Sequence, residues 1–175
     1  MTSAIDALKK QFREGQRAEA IAALDALLAA DPARLELLRL GATMNAMAGR
    51  HDRALELLSA VRERNPGDAD VLFNIGMCER ELKRFDAAAG HFDTYTQRFP
   101  AHPDGWAALG ECRLQLGALA QATAAADKAL RLDPASVPAW TIRANSQKAA
   151  GAFEEALASL AQAIRLAPQL AELRV

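Results

Sequence analysis

The chain has 175 residues and a formal net charge of −1, with 25% charged, 51% hydrophobic and only 5% aromatic residues. A balance this even leaves no basic stripe to neutralise phosphates, which argues against nucleic-acid binding, and no apolar run approaches the roughly 18 residues that cross a bilayer. Alanine is abundant, β-branched runs are few, and no segment alternates polar and apolar residues for long, so the composition points to helices.

One spacing organises the chain. Pro32, Pro66, Pro100, Pro134 and Pro168 lie 34 residues apart, and a strict period of that size marks a repeat architecture. With each repeat ending two residues past its proline, the units are 1–34, 35–68, 69–102, 103–136 and 137–170. A single solenoid over 1–170 is expected, each unit touching its neighbours. Net charge stays small throughout, at 0, 0, −1, −1 and +1 from the first unit to the fifth.

The first unit opens with Ile5, Leu8 and Phe12, an apolar stripe at helical spacing. Its helix is expected to end near residue 14, because Gly15 can take the left-handed conformation of a helix C-cap. Gly49, Lys83, Gly117 and Gly151 hold the same place in the later units, lysine being the departure. A loop of about three residues leads to a second helix. That helix should stop just before the proline, which cannot continue it. Ala20, Ala54, Ala88, Ala122 and Ala156 recur at one position of the second helices. Leu8, Ala42, Gly76, Gly110 and Ala144 recur in the first helices, small in four of five. Small residues on both helices let a hairpin close tightly. Ala4, Leu38, Leu72, Trp106 and Trp140 fill the space beside them, and the two tryptophans read as core residues.

These residues resemble the tetratricopeptide repeat. The fit is best at Leu72, Ile75, Gly76, Phe85, Ala88, Phe92 and Pro100, and again at Trp106, Leu109, Gly110, Gly117, Ala122 and Pro134. The resemblance covers residues 1–170 and implies an all-α, right-handed superhelical solenoid of five antiparallel helix–turn–helix repeats. The chain departs from the family at a usually aromatic position, which holds Gln11, Asn45, Glu79, Arg113 and Gln147. The resemblance speaks for architecture, and function must be sought in sites on it.

In such a solenoid the first helix of each unit lines a concave side. At 100° per residue, the outward arc collects Glu36, Arg39, Leu40, Thr43, Ala46 and Met47 from the second unit. The third unit supplies Asp70, Phe73, Asn74, Met77, Arg80 and Glu81, and the fourth Asp104, Ala107, Ala108, Glu111, Leu114 and Gln115. Ile5 and Phe12 join from the first unit, and Ile142 from the fifth. Leu40, Met47, Phe73 and Met77 form an apolar centre extended by Ala107, Ala108 and Leu114, with Arg39, Asn74, Arg80 and Glu111 on its rim. Thr43 completes the candidate groove for a segment of a partner protein. Some family members clamp an acidic chaperone tail with bases on a third unit. Asp104 and Ala108 stand in those places here, so an acidic tail is not expected.

Catalytic and cofactor motifs are absent. His51, His91 and His102 share no repeat position, no ligand set has metal spacing, and no Gly-rich phosphate loop or G-x-S-x-G occurs. Neither a cofactor nor a metal is expected, and the chain reads as a binding protein, not an enzyme. Cys78 and Cys112 recur one repeat apart, too far apart for a disulfide between packed helices, and read as free thiols of a reducing, cytoplasmic protein. Residues 171–175 are too few to cap Leu157, Leu160 and Ile164. Three readings of that end follow: a chain that continues, self-association through this face, or a tolerated open terminus. Three functional readings follow in turn. They are an adaptor in a bacterial cytoplasm, the substrate-recruiting part of a larger protein-modifying transferase (glycosyltransferase or sulfotransferase class), and a self-associating element.

Overall fold

The computed structural model describes residues 2–168. Among them are ten helices and no strand: α1 (Thr2–Arg13), α2 (Arg17–Ala30), α3 (Leu35–Met47), α4 (His51–Arg64), α5 (Ala69–Glu81), α6 (Phe85–Arg98), α7 (Pro103–Gln115), α8 (Leu119–Leu132), α9 (Val137–Ala149) and α10 (Phe153–Leu166). The starts of α3, α5, α7 and α9 fall 34 residues apart, as do those of the helices that follow them. The all-α helical-repeat architecture expected from the proline phase is thus the observed one. The helices gather into two compact units, Met1–Leu82 with α1–α5 and Lys83–Val175 with α6–α10.

Two kinds of turn set the phase. Within a hairpin, the first helix ends at a left-handed residue, with φ of +94° at Gly15, +76° at Gly49, +73° at Gly117 and +81° at Gly151. That conformation lets the next N–H reach the carbonyl five residues back, as in Arg50 N–H to Asn45 O at 2.8 Å and Ala118 N–H to Arg113 O at 2.9 Å. Between hairpins the proline does more than stop a helix. It occupies the second place of a β-turn, closed by Arg34 N–H to Asp31 O at 3.3 Å and Ser136 N–H to Asp133 O at 3.1 Å. The residue closing that turn is the N-cap of the next helix: Arg34, Asp68, His102 and Ser136 cap α3, α5, α7 and α9.

In the first unit the core joins Ile5, Leu8 and Phe12 of α1 to Ile21 and Leu24 of α2, Leu37, Leu38 and Met44 of α3, Leu57 and Val61 of α4, and Val71 and Ile75 of α5. In the second unit it is largely alanine: Ala107, Ala126, Ala129 and Ala139, with Leu130 and Ile142. Trp106 and Trp140 correct an expectation here. They are half-buried, resting against the alanine cluster. The cause is polar, because each indole N–H donates to the carbonyl of the preceding turn proline, Pro100 or Pro134, at 2.9 Å. Lys128 and Arg143 lie over the rings at 6.0 and 5.4 Å.

Lys83 takes φ +59° at the position that carries glycine in the other four turns. A side chain costs about 1–2 kcal/mol in that conformation. Lys83→Gly should therefore stabilise the chain by roughly 1 kcal/mol after the loss of backbone entropy. Urea midpoints compared at equal slope check this, and an unchanged or lower midpoint contradicts it.

Candidate functional site

The first unit opens a cleft between α3 and α5. The two helices are held together from their N-terminal ends by Asp68. Its carboxylate caps α5 by accepting the Val71 N–H at 3.2 Å, and it also takes a hydrogen bond and ion pair from Arg39 of α3. The Asp68 side chain is only 10% exposed. Burial pushes its carboxyl up. The Arg39 hydrogen bond, the Val71 N–H, the Arg39 charge and the Asp70 N–H together outweigh burial and hold it below the ordinary 3.8.

The cleft has a volume of about 380 Å³ and is lined by Arg39, Ala42, Thr43, Ala46 and Met47 of α3, Leu58 of α4, and Asp70, Val71, Asn74, Met77 and Cys78 of α5. Buried Ala42, Leu58, Val71 and Cys78 form its floor, and Thr43, Asn74 and Asp70 are exposed at its edge. Met47 is 60% exposed. Burial, with smaller contributions from Glu79 and Glu81, pushes the Cys78 thiol up to about 11. At neutral pH it is protonated and acts as apolar floor.

Five residues chosen from the sequence therefore meet around one cavity: Arg39, Thr43, Met47, Asn74 and Met77. Leu40 is half-buried against the core of the unit, and Phe73 is half-buried on α5 outside this lining. Arg80 is half-buried and paired with Glu81 at 2.8 Å. Glu111 and Leu114 are half-buried on α7 in the second unit. The expected extension of the patch through Ala107 and Ala108 is overturned, because both are buried, as is Ile142 of the expected outward arc. In the second unit α7 and α9 pack on each other's flanks: a Cβ on Gly110 of α7 would sit 3.3 Å from Cγ2 of Ile142 on α9. Ile5 and Phe12 are core residues of the first unit, at 2% and 5% exposure. The residue missed was Asp68, which lies outside the helix projection, although an Asp just ahead of an apolar-periodic run is an N-cap signal.

A smaller cavity of about 270 Å³ lies between α9 and α10, lined by Ala144, Asn145, Lys148, Phe153, Ala156, Leu157 and Leu160. Phe153 and Leu157 on its wall are 64% and 67% exposed, while Leu160 and Ile164 are half-buried. The expected partial cap at 171–175 lies outside the described residues. Among the described residues, no three His, Cys, Asp or Glu side chains gather as metal ligands would, and no helix is long and apolar enough to cross a membrane.

Asp68 has a lowered folded pKa, so it contributes stability above the ordinary 3.8 that is lost as pH falls through the folded value. Asp68→Asn keeps a capping oxygen and should lose that part of the acid dependence. Asp68→Ala should cost about a further 1 kcal/mol through the cap. Urea unfolding across acidic pH checks both, and identical pH profiles for wild type and Asp68→Asn contradict the assignment.

The comparisons agree with this architecture. Family models described as tetratricopeptide repeat match residues 48–103 and 81–137, residues 11–72, and residues 137–170. No curated protein sequence matches the chain. Among solved structures, MamA residues 41 to the end from Desulfovibrio magneticus RS-1 superposes with a TM-score of 0.86 at 17% identity, covering 96% of this chain and 95% of that one. Another MamA crystal structure gives 0.83 at 20% identity, covering 94% and 96%. YrrB, described as a TPR protein with an unusual peptide-binding site, gives 0.77 at 16% identity, covering 94% and 85%. At these identities the likeness concerns the fold. With helices and turns in one 34-residue phase and family models matching across most of its length, the chain belongs to the tetratricopeptide repeat family.

Proposed function

We propose that this chain is a protein-interaction module whose α3–α5 cleft receives a segment of a partner protein. The observation that carries the reading is the cleft itself, a cavity of about 380 Å³ with a buried apolar floor and a polar edge. That distribution suits a peptide side chain entering while its backbone stays at the rim. Met47 and Met77 form adaptable walls. No histidine lines the cleft and its one thiol is protonated, so it offers binding surface and no paired nucleophile and base. A protein of this fold described as having a peptide-binding site, YrrB, supports the same reading.

The test uses wild type and the double variant Met47→Glu/Met77→Glu, both immobilised and exposed to source-cell lysate. A partner protein should be retained by wild type and weakened at least about tenfold by the variant. Melting should move little, because Met47 is largely exposed and Met77 half-buried. Equal retention on both surfaces removes the cleft from the function.

Self-association is a second reading, favoured by the neighbouring exposure of Phe153 and Leu157 on α10. Sedimentation across the micromolar range should then show concentration-dependent mass for wild type and a monomer for Leu157→Glu. A wild type that stays monomeric removes this reading.

A further inference from the structure

The charges around the cleft are not balanced. Arg39 is the one cation among the lining residues, and it is committed to Asp68, which in turn caps α5. Drawing Arg39 towards an incoming carboxylate would leave a 10%-exposed carboxylate without its cation. The neighbouring Arg80 of α5 is likewise paired with Glu81. Asp70 lines the same cavity, is exposed, and makes no ion pair among the described residues. The cleft therefore presents an apolar floor and, in the first turn of α5, one carboxylate that no side-chain cation among the described residues pairs.

We propose that the cleft selects a segment with a large apolar residue followed or preceded by a basic one. The apolar side chain enters between Met47 and Met77, and the basic side chain reaches Asp70. This inference rests on the peptide-binding reading of the cleft and specifies its ligand. The spacing follows from helix geometry. Asp70 and Met77 are seven residues apart on one helix, an axial rise of about 10 Å. An extended peptide covers about 3.3–3.6 Å per residue, so the two ligand residues are about three positions apart. An acidic residue at the same place meets Asp70 and is repelled, while Arg39 is already neutralised.

The experiment uses fluorescein-labelled nonapeptides, acetylated and amidated so that their ends carry no charge. One set holds Leu and Arg three positions apart, in both orders. Matched sets replace Arg by Gln or Glu, and Leu by Ser. Binding is measured by polarisation to the full chain, to Asp70→Asn, Asp70→Lys and Met77→Glu, with circular dichroism establishing that each variant is folded. Wild type should bind the Arg peptides about three- to fivefold tighter than the Gln peptides, and the Glu peptides more weakly still. Asp70→Asn should erase the preference, Asp70→Lys should invert it, and the Ser peptides and Met77→Glu should lose binding throughout. If peptides bind in a Met77-dependent way with no preference for Arg, or if the preference survives Asp70→Asn, the ligand chemistry is wrong while the cleft keeps its role. If no peptide binds in a Met77-dependent way, the reading of the cleft falls and the ligand with it.

Discussion

The close approach of two helices at one alanine is the constraint on which the hairpins within each unit depend. Ala20, Ala54 and Ala122 have no exposed surface. A Cβ on Gly110 would stand only 3.3 Å from the carbonyl of Ala122. Helices with larger residues at such a seam sit farther apart, within the usual 8–10 Å range. The narrow seam leaves the bulkier packing to Leu24, Leu57, Phe92 and their neighbours, which are buried, and in the second unit to the flank where α7 meets α9. It also explains why an alanine-rich core suffices in the second unit. There the side chains fill little volume because the backbones are already near one another.

The architecture was legible because each of its devices is local. A left-handed turn asks for glycine, a helix stop for proline, and a tight seam for alanine, and all three recur at one period. The site was legible only in part. Projection onto a helical wheel finds which residues leave the hairpin's own seam, so Arg39, Thr43, Met47, Asn74 and Met77 came together as expected. The wheel treats a hairpin as isolated, however, and cannot see the next one. Ile142 lies against the flank of α7, and Ile5, Phe12 and Ala107 are likewise buried rather than exposed in a groove. The unusual polar column was legible as a departure but not in its effect. Arg113 reaches Asp93 of α6, Gln147 accepts from Ser159 of α10 at 2.7 Å, and buried Asn45 donates to Gly41 O at 2.9 Å. Polar side chains there make directional bonds where the family usually packs a ring.

Asp68 shows how one side chain can serve fold and site together. As an N-cap it satisfies a helix start, and as the partner of Arg39 it ties α5 to α3 across the cleft mouth. The same bond removes the positive charge that an acidic ligand would seek. Stability and specificity are therefore coupled at this residue, and a sequence drifting towards carboxylate recognition would first have to find another cap for α5.

The hydrogen bonds from Trp106 and Trp140 to their turn prolines have a further consequence, for spectroscopy. The chain holds two tryptophans and one tyrosine. All three, Trp106, Trp140 and Tyr95, lie within Lys83–Val175. The molecule is optically lopsided. Its intrinsic emission follows the environment of two indoles tied to Pro100 and Pro134, and it carries no signal from the unit that contains the cleft. A denaturation curve read by fluorescence traces the tryptophan-bearing unit, whereas far-ultraviolet dichroism weighs all ten helices. Any gap between the two curves measures how independently the first unit melts.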